Sequence, residues 1–289
     1  MSVNQLGFAG LGRMGGPLSH RLVEAGYDVT GFDVAGTADR LPAGATAAAS
    51  IVELARTTDT IFLSVPDGAA SRAICEQIVA VDDRCVRTVV DLSTIGIAAA
   101  RVCAELLAAA GVVYVDAPVS GGVAGAESGS LSMMVGAPAA RFDELDPLLA
   151  VLAKNRFRIG DEPGQGQAMK LLNNYVSAAA LAATCEATVF GERLGLDLAK
   201  MVEVLNVSSG RSAASQDKFP KSVVPRSYDF GFAGALMTKD VSLYLENAEN
   251  AGVPHDLATS VAALWQRFNM AHPAADFTYL HRYLEEGEV

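Results

Sequence analysis

Cysteine and histidine are scarce in this chain of 289 residues, which contains four of each. The cysteines are scattered without a CxxC pair, so the sequence predicts neither a disulfide framework nor a zinc site. The histidines are equally dispersed, and no HExxH pattern is present. We therefore expect no bound metal.

Basic residues are outnumbered, since 22 Lys and Arg stand against 33 Asp and Glu for a formal net charge of −11. Binding to nucleic acid requires clustered Lys and Arg, so this function is not expected. No uncharged run reaches the ~20 residues that span a bilayer. The first residues run directly into an apolar strand, which leaves no room for a signal peptide. We expect a cytoplasmic protein with no nucleic-acid or membrane partner.

Hydrophobic residues, in contrast, make up 51% of the chain, enough for well-packed interiors. A chain of this length predicts two domains. In the first half, short apolar runs alternate with longer amphipathic segments, the pattern of βαβ units around a mostly parallel sheet. The predicted strands are 6–9, 29–33, 60–65, 86–92, 112–115, 131–135 and 156–159, and the predicted helices are 14–25, 51–56 with Ser50 as cap, 97–110 and 139–152.

The pattern changes after residue 160. Residues 167–194 predict one long helix, and further helices are predicted at 198–207, 236–251 and 257–269, with no strand beyond Gly160. We therefore predict a Rossmann-like α/β domain at 1–163 and an all-α domain at 164–289. The long interdomain helix joins them, and the active site is expected in the cleft between the two domains.

A glycine-rich loop lies between the first predicted strand and the first predicted helix, with the GxGxxG pattern. In such a loop the first glycine permits a tight turn, the second lets the backbone approach a pyrophosphate, and the third allows close helix–strand packing. The residues predicted to bind a dinucleotide are Gly10, Leu11, Gly12, Arg13, Met14 and Gly15. The alternative interpretation is a purely structural glycine turn.

Asp33 ends the second predicted strand, 18 positions after Gly15. A carboxylate there accepts hydrogen bonds from the ribose hydroxyls of NAD and repels the 2′-phosphate of NADP. No arginine follows Asp33 directly, and the next one is Arg40. NAD is therefore the predicted cofactor, and NADP is less favoured.

Lys170 lies in the long predicted helix, and Asn174 follows four residues later on the same helical face. The helix is otherwise apolar nearly all round, which predicts burial. A buried ammonium needs a partner or a cleft, and partial desolvation lowers a lysine pKa toward a useful range for acid/base catalysis. We predict that Lys170 faces the nicotinamide and transfers the proton. The alternative is a lysine that reaches the surface beside a structural asparagine.

A second glycine-rich segment, residues 116–122, follows the strand predicted at 112–115. Ligands of open α/β sheets bind beyond the carboxyl ends of the strands. Ser120 and the backbone amides of Gly121 and Gly122 can form a nest for a carboxylate. The glycines that follow predict a flexible link to the next strand. A plain connecting turn is the alternative, whereas a serine nucleophile is disfavoured because GxSxG is absent.

Together these motifs resemble the β-hydroxyacid dehydrogenase family, especially 3-hydroxyisobutyrate dehydrogenase and its relatives. The resemblance rests on residues 7–17, 116–122 and 166–174, and on Phe232 followed by Lys239-Asp240, in family order. It implies Lys170 as the catalytic acid/base, with Asn174 and Ser120 as further catalytic residues. Substrate-binding residues implied by the family are Ser120, Gly121, Gly122, Asn174 and, in a neighbouring segment, Arg211. Cofactor contacts implied by the family are Val65, Pro66, Thr94, Phe232 and Lys239.

The resemblance also implies an activity, namely hydride transfer between NAD(H) and a small anionic β-hydroxy acid or semialdehyde. It implies a carboxyl-terminal domain like that of 6-phosphogluconate dehydrogenase, and a homodimer or homotetramer. Two alternatives remain open. One is an imine reductase on the same scaffold, although such relatives generally replace the lysine. The other is a non-enzymatic NAD-binding sensor, which would be free to lose Lys170, Asn174 and Ser120 together.

Overall fold

The computed structural model describes residues 5–287, and the chain divides into two compact units, the first ending at Lys170 and the second beginning at Leu171. All the strands of the described residues lie in the first unit and the second is helical, so the predicted fold class is confirmed. Residues 1–4, on which the expectation about a signal peptide partly rests, lie outside the described part. No helix within 5–287 is long and apolar enough to cross a bilayer.

The first unit is built on one sheet. Its strands are β1 (Gln5–Ala9), β2 (Asp28–Phe32), β3 (Thr46–Ala47), β4 (Thr60–Leu63), β5 (Thr88–Asp91), β6 (Val113–Asp116), β7 (Val119–Ser120), β8 (Ser132–Gly136) and β9 (Asn155–Gly160). They lie in the order β3-β2-β1-β4-β5-β6-β8-β7, and β9 pairs with β8. The strands from β1 to β6 pair in parallel, whereas β8 is antiparallel to β6 and β7. Every predicted strand is present, and the two unpredicted ones are only two residues long.

Helices bury both faces of this sheet. They are α1 (Gly15–Glu24), α2 (Ile51–Thr57), α3 (Gly68–Val79), α4 (Ile97–Ala109), α5 (Gly122–Ser128) and α6 (Ala139–Leu152). Successive side chains of a strand point to opposite faces. Accordingly Phe62 packs in one apolar core with residues of α1 and α6, while Ile61 and Leu63 pack in another with residues of α2, α3 and α4. Burial on both sides explains why the parallel strands are continuous apolar runs.

Two helices of the first unit were not predicted. In α3, the side chain of Asp67 accepts a hydrogen bond from the N–H of Ala70 at 2.9 Å and caps the helix. The flexible link predicted after Gly122 is wrong, because residues 122–128 form α5. Gly125 lies where a side chain would meet Leu131, and Gly129 ends the helix with a φ of +68°. These glycines serve close packing and helix termination rather than flexibility.

The long helix α7 (Gln165–Arg193) begins in the first unit and continues into the second. The second unit further contains α8 (Leu198–Asn206), a π-helical segment (Ala214–Val223), α9 (Gly234–Asn250), α10 (Asp256–Ala271), a 3-10 turn (Phe277–Tyr279) and α11 (Leu280–Glu286). Its core is rich in aromatic side chains, and Phe219, Trp265 and Phe268 are fully buried. The predicted helices at 198–207, 236–251 and 257–269 correspond to α8, α9 and α10.

One face of α7 is exposed, which differs from the all-round burial that its composition predicts. Leu172, Val176 and Phe190 of this face are 47%, 56% and 66% exposed, Leu194 directly after the helix is 65% exposed, and Ala183 between them is also exposed. We call these five residues the α7 stripe. They follow one another at helical spacing, so they form a single apolar band along the helix. The composition of α7 indicates that its faces are apolar, but it does not show which of these faces other residues of the same chain bury.

Candidate active site

The loop between β1 and α1 packs closely at two of its glycines and is open at the third. Gly10 has a φ of +93°, and a Cβ there would lie 2.2 Å from the carbonyl oxygen of Ser64. A Cβ on Gly15 would lie 1.8 Å from the carbonyl oxygen of Gly10, whereas one on Gly12 would meet nothing within 4 Å. Gly10 and Gly15 are therefore required by packing, and Gly12 leaves the backbone open to a ligand. Between them Leu11 is buried, Met14 is half-buried and Arg13 is exposed.

Asp33 lies directly after β2 and is fixed by that loop. The N–H of Leu11 donates to its Oδ2 at 2.7 Å, and the N–H of Ala35 donates to its Oδ1 at 2.8 Å. The glycine loop and the acidic residue predicted from spacing are thus joined by a hydrogen bond. Arg40 Nη1 lies 3.8 Å from Asp33 Oδ2, which the sequence did not indicate.

The carboxyl ends of β4 and β5 lie beside this loop. The N–H of Val65 donates to the hydroxyl of Ser93 at 2.9 Å, and Val65 Cγ1 would lie 3.3 Å from a Cβ on Gly10. Pro66 follows Val65 at this edge, and the half-buried Thr94 follows Ser93. The structure therefore places these predicted cofactor contacts of the first unit at one edge of the sheet, as expected for ligand-binding residues of an open α/β fold.

The segment predicted to hold the substrate carboxylate lies at β7 and the start of α5. Ser120 is half-buried and pairs with Ser132 of β8. Gly121 and Gly122 have φ values of +134° and +65°, a conformation that favours glycine. Consecutive residues of unusual backbone conformation can turn their N–H groups toward one point, which suits an anion. Their role toward a substrate stays a prediction.

Lys170 is the last residue of the first unit and is only 6% exposed. Its burial argues against the alternative of a solvated surface lysine. Two further buried polar residues are absent from the predicted site. One precedes Lys170 in the same helix, and the other binds backbone groups at the start of that helix. Gln167 is fully buried three residues earlier, and Asp116 at the end of β6 accepts hydrogen bonds from the N–H groups of Gly164 and Gln167 at 2.9 and 2.8 Å. Burial raises the pKa of Asp116 to about 6, although both hydrogen bonds lower it.

In the second unit Asn174 and Lys239 are brought together by Asp240. Asn174 is 6% exposed, and its Nδ2 donates to Asp240 Oδ2 at 2.6 Å. Lys239 Nζ lies 3.4 Å from the other carboxylate oxygen, and Asp240 is 3% exposed. Asp240 belongs to the Lys239-Asp240 motif but was not among the predicted site residues. The only sequence feature that pointed to Asp240 was this motif, because spacing alone cannot show which acidic residue contacts Asn174.

The remaining two predicted residues lie elsewhere in the second unit. Phe232 is half-buried and contacts Phe277 edge-on, with ring centroids 5.5 Å apart. Arg211 is exposed in the turn between α8 and the π-helical segment, where its N–H donates to the carbonyl of Ser208. Within residues 5–287, no three His, Cys, Asp or Glu side chains are grouped so as to hold a metal ion.

A glycine loop tied to an acidic residue after β2, in an α/β unit followed by a helical one, is typical of a nicotinamide-dependent oxidoreductase. The family model described as the NAD binding domain of 6-phosphogluconate dehydrogenase matches residues 5–160. The model described as NAD-binding of NADP-dependent 3-hydroxyisobutyrate dehydrogenase matches residues 164–284.

Relatives of known name agree with these matches. The 3-hydroxyisobutyrate dehydrogenase of Pseudomonas aeruginosa is 34% identical, over 97% of this chain and 98% of its own length. The 2-(hydroxymethyl)glutarate dehydrogenase of Eubacterium barkeri is 35% identical, over 91% and 88%. The Mycobacterium tuberculosis 3-hydroxyisobutyrate dehydrogenase solved with L-serine superposes with a TM-score of 0.89 at 31% identity, covering 98% of this chain and 99% of that one.

The chain belongs to the β-hydroxyacid dehydrogenase family, in its 3-hydroxyisobutyrate dehydrogenase-like branch, as the motifs indicated. It is a dehydrogenase that binds NAD(P) and acts on a CH–OH group. Imine reductases are more distant, and the one from Streptomyces aurantiacus is 22% identical with a TM-score of 0.64, which shows a shared fold alone.

Proposed function

We propose that this dehydrogenase transfers a hydride between NAD(H) and a small anionic β-hydroxy acid or its semialdehyde, such as 3-hydroxyisobutyrate, with Lys170 as general acid and base. The observation that carries the proposal is the burial of Lys170 near the start of α7, whose first turn is hydrogen-bonded to the loop that contains Thr94. A buried amine at a position that the family motif assigns to catalysis favours proton transfer over a surface role.

The other site residues have distinct proposed roles. Bound NAD supplies the hydride acceptor, held by the 10–15 loop, and Asp33 favours NAD over NADP. Ser120 and the amides of Gly121 and Gly122 hold the substrate carboxylate. Lys170 takes the proton of the hydroxyl in oxidation and returns it to the carbonyl oxygen in reduction. Asn174, itself held by Asp240, orients Lys170 or the reacting oxygen.

The proposal is tested with Lys170→Ala, compared with Lys154→Ala, which changes an exposed lysine of the first unit. We expect kcat with NAD and 3-hydroxyisobutyrate to fall by about 10²–10⁴ in Lys170→Ala, because acid/base assistance is lost. The Kd for NAD, measured by calorimetry, should not change in either variant. Equal turnover in both variants would contradict the role of Lys170.

A substrate panel separates the alternatives. Short 3-hydroxy acids and their semialdehydes are compared with a cyclic imine, using wild type and Lys170→Ala. Lysine-dependent turnover of the hydroxy acids supports the proposal, whereas preferential reduction of the imine would indicate an imine reductase. NAD binding without lysine-dependent turnover of any compound would indicate a sensor.

We also propose that the protein is cytoplasmic and forms a homodimer or homotetramer through the α7 stripe. The stripe is symmetrical about Ala183, since Val176 and Phe190 are seven residues from it on either side, and Leu172 and Leu194 are eleven. Two copies of α7 packed antiparallel would place each Val176 against Phe190 of the other copy, with the small Ala183 at the crossing. Such a self-complementary surface suits a two-fold axis.

A further inference from the structure

Gln167 uses its whole side-chain amide to hold the loop that follows β5. Its Oε1 accepts hydrogen bonds from the N–H groups of Ile95 and Gly96 at 2.9 and 3.2 Å, and its Nε2 donates to the carbonyl of Ser93 at 2.9 Å. Gln167 is fully buried. Water therefore cannot replace these partners without rearrangement, and the two ends of the amide are not interchangeable.

The same loop continues to the cofactor side of the first unit. Thr94 lies between the residues that Gln167 binds. Ser93 accepts a hydrogen bond from the N–H of Val65 through its hydroxyl, and its own N–H donates to the buried carboxylate of Asp91 at 2.9 Å. An unbroken set of hydrogen bonds thus connects β4, β5 and the first turn of α7.

The first turn of α7 is held equally tightly on its other side. Asp116 binds the N–H groups of Gly164 and Gln167, as described above. A Cβ on Gly166 would lie 2.3 Å from the carbonyl oxygen of Met134. The helix start therefore lies between the 93–96 loop on one side and the end of β6 with the middle of β8 on the other, and at Gly166 the backbone is packed too closely for a side chain.

We propose that Gln167 is a positioning residue, which fixes the rotation and height of Lys170 relative to the loop that contains Thr94. Lys170 follows Gln167 by three residues, about 4.5 Å along the helix axis. Any displacement of the first turn is therefore passed directly to the lysine. A shift of about 1 Å in a reacting group is sufficient to slow catalysis about 10²-fold. This inference rests on the proposed role of Lys170.

The test compares Gln167→Ala with Gln165→Ala. Gln165 is a matched control, because it lies in the same helical turn but its Oε1 accepts from the N–H of Glu162 rather than from the 93–96 loop. We expect Gln167→Ala to lower kcat about 10- to 100-fold and to increase the deuterium isotope effect of a substrate labelled at the carbinol carbon. Gln165→Ala should stay within about twofold of wild type in both measurements. Equal behaviour of the two variants would overturn the inference.

The double variant Gln167→Ala/Lys170→Ala separates positioning from a general structural effect. If Gln167 acts through Lys170, the double variant should turn over within about twofold of Lys170→Ala alone. If the two losses multiply, Gln167 acts independently of the lysine and the inference is wrong. Full activity of Lys170→Ala would remove the proposed function and this inference with it. If Lys170→Ala is inactive while Gln167→Ala is fully active, this inference is wrong but the proposed function stands.

Should Gln167→Ala fail to fold, as judged by its thermal transition, Gln167→Glu replaces it. The glutamate keeps the size and the acceptor for Ile95 and Gly96 but cannot donate to Ser93 in its charged form. We expect a lower kcat and a pH–rate profile whose lysine limb moves to higher pH, because a negative charge then lies one turn from Lys170. A rate and profile equal to those of wild type would contradict the inference.

Discussion

At the scale of single residues, Asp33 and Arg40 present opposite charges at the end of β2, 3.8 Å apart. The carboxylate repels a 2′-phosphate, whereas the guanidinium would attract it. We predict that Asp33→Asn lowers the ratio of kcat/KM for NAD to that for NADP by about tenfold or more, equivalent to about 1.4 kcal/mol. Steady-state kinetics with both cofactors measures this ratio.

A matched control variant is available for this measurement of cofactor preference. Asp39→Asn changes an exposed acidic residue of the same loop and should leave the ratio unchanged. Adding Arg40→Ala to Asp33→Asn should remove most of the gain with NADP. An unchanged ratio in Asp33→Asn would show that the carboxylate does not determine cofactor preference.

Asp240 provides a second prediction at this scale. Its carboxylate is the acceptor for Asn174 Nδ2, and both side chains are buried. We predict that Asp240→Ala lowers kcat about tenfold or more, because Asn174 loses the partner that orients it. Asp240→Asn retains an oxygen acceptor and should recover part of the rate, whereas Glu246→Ala on the exposed side of α9 should have no effect. Wild-type kcat in Asp240→Ala would contradict the orienting role.

At the scale of elements, the α7 stripe makes self-association testable. Ala183→Glu places a charge at the centre of the proposed two-fold contact, so we predict that the mass measured by light scattering falls to that of a monomer at micromolar concentration. Ala199→Glu introduces the same side chain at an exposed alanine of α8 and should leave the mass unchanged. A wild-type protein that is already monomeric would refute the proposal.

The elements also show how far the sequence could predict this structure. Strands buried on both faces are recognisable in the sequence as apolar runs. The start of α2 is recognisable from Ser50, whose hydroxyl caps the helix by accepting a hydrogen bond from the N–H of Glu53 at 3.2 Å. Asp67 is a comparable capping residue for α3, a helix that was not among those predicted. The helix α5 is hard to predict because its sequence is rich in glycine. Both α5 and the π-helical hydrogen bonding of residues 214–223 depend on tertiary contacts, which a local sequence pattern does not encode.

The site shows the same division. Lys170, Asn174 and the glycine loop were identified from spacing and motif. Gln167 is not among the predicted site residues, because its partners lie more than 70 positions earlier in the chain. A pattern along the sequence predicts which side chains are polar in an apolar helix. It does not predict which distant backbone groups they bind.

At the scale of the whole molecule, acid stability should depend on His281. This residue is fully buried, and burial lowers its pKa from 6.5 to about 4. The unfolded chain therefore binds a proton that the folded chain excludes between these values, so stability falls as the pH falls from 6.5 to about 4. Glu192, 3.2 Å away, has a pKa raised by burial and offsets part of this loss. We predict that about 2 kcal/mol is lost through His281.

The measurement is chemical denaturation at pH 7.5 and pH 4.5 of wild type, His281→Gln and His255→Gln. His255 is partly exposed and serves as the control. The difference in unfolding free energy between the two pH values should be smaller in His281→Gln than in wild type, whereas His255→Gln should match wild type. An equal pH dependence in all three proteins would exclude His281 as the responsible group.

The closed start of α7 also limits how the length of this chain can vary. One residue inserted between Gly164 and Lys170 would turn the lysine by about 100° and advance it by about 1.5 Å, since the first turn is fixed at both sides. The stretch 34–40 is largely exposed, so an insertion there changes no buried contact of the helix. Homologous chains that keep the lysine in place should therefore vary in length in the surface stretch 34–40, and not between Gly164 and Lys170.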